Sequence, residues 1–338
     1  MKFGPVPVAE AGGHLLAHSL KLPDLVLKKG HRLDAQDLRA LGAAGIEQVV
    51  VARLEPDDVH EDVAARRLGE ALAGAQVDGG NATTGRMNLF ARRAGLFCVD
   101  AARIQAINGV HESLTVATLP PWEPVAEGQM LATVKVIPYA APQAALAQVL
   151  REAEGAFSVI DVAPWRGIGV GLVLTRLPDT RASVLDKMKS AVEKRLTPLA
   201  GRLDAERVVA HEAAAVAEAI RQLTARPGVD VLLVSGIAAT VDRQDVVPAG
   251  LEQAGGIVLH AGMPVDPGNL LVLGSLQRAD SRCPVVGIPT CARSPKLNGF
   301  DFVLRRLAAG LDVSAADIMA LGVGGLLSDI PSRPMPRA

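Results

Sequence analysis

The chain has 338 residues, of which 49% are hydrophobic and 21% charged, and 35 cationic side chains against 36 acidic ones leave a formal net charge of −1. That composition excludes a largely disordered or collagenous chain, and it supplies no global positive field for sequence-independent nucleic-acid binding. Six Phe, two Trp and one Tyr are few for stacking on single strands, so the core must be built from Ala, Val, Leu and Ile.

In chain order, residues 6–20 have helical spacing, with Val8, Ala11, Leu15 and Leu16 as its apolar positions. A short strand and turn follow at 26–30. Asp34 stands as the N-cap of a helix over 35–44, closed by Gly45. Residues 46–52 read as a buried β-branched strand, and 62–73 as a helix with Arg66 and Arg67 toward water. The run DGGNATTG at 78–85 is a loop. Strands are predicted at 96–99, 114–119 and 129–137, and a helix over 142–154 stops at Gly155. A join is expected near 164–167.

Beyond the join, strands at 167–175, 206–211, 229–235, 256–260, 270–273 and 284–288 alternate with helices at 183–196, 214–223 and 243–254. Two further helices, 300–309 and 315–321, follow. Near-continuous apolar strands separated by helices predict a parallel sheet covered on both faces. The expected fold class is therefore α/β. A parallel-sheet domain takes residues 166–338, and a smaller α+β region takes 1–165. Ligands of such sheets bind beyond the carboxyl ends of the strands, which selects the loops after residues 175, 234, 259 and 288.

Three of those loops carry chemistry. In VLLVSGIAATVDRQDVVPAG, residues 231–250, a strand ends at Ser235-Gly236 and a helix is expected to start near Arg243, with Asp242 as cap and Asp245 at N3. Small residues at a strand-to-helix turn let backbone N–H groups face an anion, and two carboxylates there welcome a divalent cation; the same two carboxylates could equally do no more than cap the helix. In HAGMPVDPGNLLVLG, residues 260–274, Pro264 and Pro267 stiffen the loop, Gly268 permits close approach, and Asp266 and Asn269 are its polar groups; a plain tight turn is the competing reading. In GIPTCARSPKLNGF, residues 287–300, Thr290, Arg293, Ser294 and Lys296 precede a helix capped by Asn298, a pattern suited to an anion.

Other features weigh less. His14 and His18, four apart on the expected first helix, have no third metal ligand beside them. His260 ends a strand and is a weak acid–base candidate. Cys291 lacks a neighbouring His base, which favours a packing role. Gly167–Ile–Gly–Val–Gly171 is not a dinucleotide fingerprint, and no P-loop occurs. Cys98, Cys283 and Cys291 form no C-x-x-C, which favours a reducing cytoplasm. No apolar run approaches the ~20 residues of a bilayer span.

Together the three loops resemble the molybdopterin-binding domain shared by molybdopterin adenylyltransferases, molybdopterin molybdotransferases and the competence-damage-inducible protein family. Ser235-Gly236 with Asp245-Val246-Val247-Pro248 is similar to the family's first motif, Pro267-Gly268 to the second, and Gly287-Ile288-Pro289 to the third. VLKKGHRLDAQDLRALGAAGIEQVVV, residues 26–51, is similar to a segment of the molybdotransferases, and GQMLATVKVIPYA, residues 128–140, to strands of a β-clip domain. Ile237, Ala238 and Ala239 stand where the family has glycines and other small residues, and Thr290-Cys291-Ala292-Arg293 replaces its Gly-Asn-Pro. The M-D-G-Y-A segment of a molybdotransferase is absent.

The resemblance implies a three-layer domain that binds molybdopterin or adenylated molybdopterin, an anionic pterin phosphate. It assigns ligand contacts to Ser235, Gly236, Ala238, Ala239, Thr240, Pro267, Gly268, Asn269, Pro289, Arg293, Ser294 and Lys296. It assigns Mg²⁺ to Asp242 and Asp245, with Asp245 the catalytic carboxylate if adenylyl or molybdate transfer occurs. It also implies a homo-oligomer in the cytoplasm, served by a nucleotidyltransferase or serving a molybdoenzyme, with neither nucleic acid nor membrane as partner. Two other readings stay open: a non-catalytic cofactor carrier or sensor, and a nucleotide- or sugar-phosphate-binding enzyme on a similar sheet.

Overall fold

Residues 1–23 and 25–328 are described by a computed structural model of the chain, which divides into two units, Met1–Val162 and Ala163–Ala338. Among the described residues, no helix is long and apolar enough to cross a membrane.

The first unit is a patchwork of small sheets. Lys2–Pro7 pairs antiparallel with Gln48–Arg53, and Leu15–Leu16 adds to the other edge of that strand. The helix expected over 6–20 is therefore absent. Pro5 and Pro7 lack N–H donors and suit an edge strand, and Gly13 turns the chain at φ 78°. Leu16, Leu27, Leu33, Leu41 and Val51 form the core of this region. The helix Ala35–Ala43 follows its cap as expected. Asp34 accepts the N–H groups of Gln36 and Asp37, and Asp37 accepts the Asp34 N–H in return.

A second core lies under a four-stranded antiparallel sheet ordered Leu114–Thr118, Met130–Val136, Arg86–Ala91, Val77–Gly79. Its inner face, Met87, Leu89, Val116 and Val134, packs on Leu68 and Leu72 of the helix Glu61–Leu72 and on Leu146 and Val149 of Gln143–Ala153. The helix Ala101–Val110 has no counterpart in the sequence expectations. Only Ile107 is buried along it, so no apolar stripe announces it, although Asp100 caps its start by accepting the Arg103 N–H.

The second unit is built on one six-stranded sheet. Its strands are β1 (Gly169–Arg176), β2 (Arg202–Ala210), β3 (Val231–Ser235), β4 (Ile257–Ala261), β5 (Val272–Gln277) and β6 (Arg282–Ile288), in the order β2-β1-β3-β6-β5-β4. The helices are α1 (Ala182–Leu196), α2 (Ala213–Thr224), α3 (Val246–Gln253), α4 (Gly299–Ala308) and α5 (Ala315–Met319). Strands β2, β1, β3 and β6 are parallel. The sheet is nonetheless mixed, because β5 runs antiparallel to both β6 and β4. The connection 278–281 is far too short for the crossover of a dozen or more residues that a parallel β5–β6 pair would need.

Alternation along the buried strands serves both faces. Val170, Leu172 and Leu174 of β1 share a core with Met188 and Val192 of α1, Phe300 and Leu304 of α4 and Ile318 of α5. Val173 of the same strand, with Leu232 and Val234 of β3, packs with Val216 and Ile220 of α2 and Leu251 of α3. Strand β2 starts four residues before its expected beginning. As an edge strand it is half solvated and carries Arg202, Asp204 and Glu206, which hide it from an apolar-run reading.

Candidate functional site at the carboxyl edge of the sheet

Four parallel strands end together. In register, Leu174 of β1 lies beside Ser235 of β3, which lies beside Ile288 of β6. Strand β4 runs in the same sense, since β5 opposes both its neighbours. The loops after β1, β2, β3, β4 and β6 therefore emerge at one edge. The chain leaves β1 for β2 on one side and returns for β3 on the other, which opens a crevice between the ends of β1 and β3.

A hydrogen-bonded relay spans that crevice. Thr175, buried at the end of β1, accepts the Ile237 N–H through Oγ1 at 2.8 Å. The same Oγ1 lies 2.9 Å from Nδ1 of His211. His211 follows β2 and is itself held by its backbone N–H on the Arg176 carbonyl at 3.0 Å. A Cβ on Gly236 would stand 3.7 Å from Cε1 of His211 and 2.9 Å from the Ala238 carbonyl, so the turn after β3 is close-packed against the ring. Ser235 and Gly236 are buried, Thr240 is partly exposed, and Ala238 and Ala239 are exposed.

The loop after β6 is drawn onto the relay by Arg293, whose Nη2 donates to the Ile237 carbonyl at 3.0 Å. Pro289 is the residue before the short 3₁₀ turn Thr290–Arg293. Arg195 of α1 organises the rest of this loop. Its Nε donates to Asp301 at 2.7 Å, Nη1 to the Ala191 and Ala292 carbonyls, and Nη2 to the Ser294 and Lys296 carbonyls. All five N–H groups of the guanidinium are thus used. The Ser294 and Lys296 side chains remain exposed at the surface. The 262–271 loop is tied to the start of α4, where the Gly299 N–H donates to the Pro267 carbonyl at 2.9 Å. A Cβ at Gly268 would lie 2.5 Å from the Gly299 nitrogen, and its φ of 126° favours glycine in any case. Asn269 is exposed.

The two carboxylates are arranged differently from the sequence expectation. Helix α3 begins at Val246, not near Arg243, and Asp245 is its N-cap residue without a side-chain capping bond. Pro248 explains the shift, since proline is tolerated in the first turn, where no N–H is needed. Asp245 turns back instead, and its Oδ2 accepts the Val241 N–H at 2.8 Å and the Asp242 N–H at 3.4 Å. Asp242 accepts the Gln244 N–H at 2.8 Å. The expected capping box at this helix is replaced by a turn that the carboxylates close. Among the described residues, no group of three or more His, Cys, Asp or Glu could hold a metal by itself.

No curated protein matches the chain. A family described as a domain of unknown function (DUF8806) matches residues 5–53, the region around the first small core. Among solved structures, a molybdenum cofactor biosynthesis protein from Pyrococcus furiosus is similar at 15% identity and a TM-score of 0.24, covering 94% of this chain. The chain spans 65% of that protein's length. A putative molybdenum cofactor biosynthesis protein from Corynebacterium diphtheriae is similar at 17% identity and a TM-score of 0.30, covering 43% of this chain and 99% of its own.

The remaining sequence candidates lie elsewhere. His14 and His18 flank the strand Leu15–Leu16 and share no helix face; the His18 ring meets Phe3 edge-on, with centroids 6.3 Å apart. His260 sits on β4, the edge strand farthest from β2. Cys291 is exposed and its Sγ receives the Asn298 Nδ2 at 3.2 Å. Thr175, His211 and Arg195 are site residues that carry little signal in the sequence. A strand-ending Thr beside a run of apolar residues was a faint signal for the first, and nothing local distinguishes the other two.

Proposed function

We propose that the α/β unit is a three-layer molybdopterin-binding domain and that the chain binds an anionic pterin phosphate in molybdenum cofactor biosynthesis or delivery. The observation that carries the reading is the Arg293 bond to the Ile237 carbonyl, because it joins two of the three loops whose residues resemble that family's motifs. The phosphate of molybdopterin, or the phosphoanhydride of its adenylated form, would lie against the 236–240 turn, with Arg293 and Lys296 as cations and Pro267-Gly268-Asn269 closing the neighbouring side.

Asp242 and Asp245 suit Mg²⁺ only as a shared site. Each already accepts a backbone N–H, and Mg²⁺ at one or two carboxylates completes its octahedron with water and ligand phosphates. So held, the ion would neutralise charge on phosphate oxygens. Ile237 and Ala239 stand where the resembled catalytic families have glycines and other small residues, which supports binding and delivery over adenylyl or molybdate transfer. The reading further places the chain in the cytoplasm as a homo-oligomer, exchanging ligand with a nucleotidyltransferase or a molybdoenzyme.

The test is mass spectrometry of the small molecules released from protein purified out of a molybdenum-replete host, alongside an Arg293→Met variant. Pterin phosphate released by the wild type and strongly reduced in the variant is the expected result. Wild-type protein that carries no pterin, and takes none up from a molybdopterin donor, would overturn the reading.

A further inference from the structure

The turn after β3 should face a bound anion with backbone donors, yet the Ile237 N–H is already spent on Thr175 Oγ1 at 2.8 Å. The donor lost there is regained one strand away. A hydroxyl has one proton, and Thr175 Oγ1 already accepts from a backbone N–H that cannot do otherwise. Its remaining contact is Nδ1 of His211 at 2.9 Å. If Nδ1 carried the ring proton, it too would donate to Oγ1, and the buried hydroxyl proton of Thr175 would be left without an acceptor among its hydrogen bonds, a costly outcome at a side chain 1% exposed. The arrangement that uses every proton has Thr175 donating to an unprotonated Nδ1. The neutral imidazole then carries its proton on Nε2, and Nε2 makes no hydrogen bond to a described residue.

The ring is also fixed in place. The backbone N–H of His211 is held on Arg176 of β1, and its Cε1 edge faces Gly236 of the β3 loop. The imidazole therefore bridges the ends of β2, β1 and β3, at the crossover crevice itself.

We propose that His211, locked by Thr175 as the Nε2–H tautomer, is a ligand-binding residue of this crevice that donates to an anionic phosphate oxygen. Thr175 is then a positioning residue acting through His211. The choice of a phosphate oxygen rests on the pterin phosphate reading above; the tautomer does not. An N–H donor of fixed direction suits a phosphate or phosphoanhydride oxygen and not a cation, and it leaves the charge balance to Arg293 and Lys296.

The experiment is long-range ¹H–¹⁵N NMR of the full chain with ¹⁵N-histidine, with the His211 signals assigned from a His211→Phe variant and pyrophosphate as probe. The expected result is a protonated Nε2 and a free Nδ1 in the wild type, a shift of the Nε2 signal on adding pyrophosphate, and pyrophosphate affinity about tenfold weaker in His211→Phe, the scale of a hydrogen bond to a charged group. Thr175→Val should scramble the tautomer and Thr175→Ser should restore it, a readout that a purely structural role for Thr175 would not move. A protonated Nδ1 in the wild type, or a His211 ring indifferent to bound pyrophosphate, overturns the proposal. Protein that binds pyrophosphate through His211 yet carries no pterin breaks only the pterin reading; protein that carries pterin with His211 unmoved breaks only this one.

Discussion

The two units solve the burial problem in opposite ways. The second gathers six strands in one sheet and serves both faces with alternate residues of the same strands. The first divides its strands among several small antiparallel sheets and keeps separate cores, one around Leu41 and Val51 and one around Leu68 and Leu89. In the second unit β1, β2, β3 and β6 are each followed by a helix that packs on the sheet, so local pattern and global fold largely agree. In the first, Lys2–Pro7 finds its partner at Gln48–Arg53, across an intervening helix, and no local pattern specifies that pairing. A regular sheet exposes its carboxyl edge as a ready-made site; a patchwork has no equivalent edge.

The contrast can be broken most forcefully at the cores. Phe300→Ala should cost the second unit about 3–5 kcal/mol, and Leu68→Ala should cost the first about 2–5 kcal/mol, since both side chains are fully buried. Calorimetry should resolve two transitions, each variant lowering its own and sparing the other; a single transition that both variants move equally would show the cores to be one cooperative system. Arg195→Met should come next. It leaves Asp301, whose side chain is 11% exposed, without its cationic partner, at a cost of about 3 kcal/mol, while Arg195→Lys recovers only part because one ammonium cannot serve five acceptors.

Thiol chemistry separates the two cysteines of the second unit. Burial pushes the Cys283 thiol up to about 11 against an ordinary value of 9.0. Its proton is held more tightly in the native state, so the stability it contributes is complete below about pH 9 and is lost as pH rises through 11. At pH 8 a disulfide reagent should label exposed Cys291 at once and Cys283 only on unfolding.

In the first unit the acid limb is the informative one. Burial pushes Asp37 upward, but the Asp34 N–H and the His31 imidazole at 2.6 Å outweigh it and hold the carboxyl below its ordinary value of 3.8. That stability is present above pH 3.8 and fades as the pH falls through the lowered value. Asp34→Ala, which removes the carboxylate that caps the helix, should cost about 0.5–2 kcal/mol and leave most of that acid dependence in place, because the backbone N–H at position 34 and His31 still serve Asp37. The smallest effect is expected from Asp245→Asn, within about 0.5 kcal/mol by thermal melting, because it closes a partly exposed turn and caps nothing. A loss comparable to that of Arg195→Met would mean that the carboxylates hold the loop together rather than wait for a ligand.

Much of the second unit was legible because its information is local. Near-continuous apolar runs marked β1, β3 and β6, and Asn298 announced α4 with the capping box that the structure shows. Proline chemistry at 248, by contrast, moved the start of α3 past the residue that spacing alone favoured. The reversed sense of β5 depended on the brevity of the 278–281 connection, which apolar-run reading did not weigh.

For the candidate site, the sequence by itself determined which loops could matter, since strand ends and small residues are written in it. Arg293 could be singled out as a cation near a helix start. Only the tertiary structure decided what these groups do. It set Thr175 between Ile237 and His211, brought Arg293 onto the Ile237 carbonyl, and gave Arg195 five acceptors drawn from α1, the 289–298 loop and α4. The reason is physical: periodicity records which face of an element is buried, whereas a hydrogen bond between residues 36, 56 or 62 positions apart exists only once the sheet has brought their strand ends together.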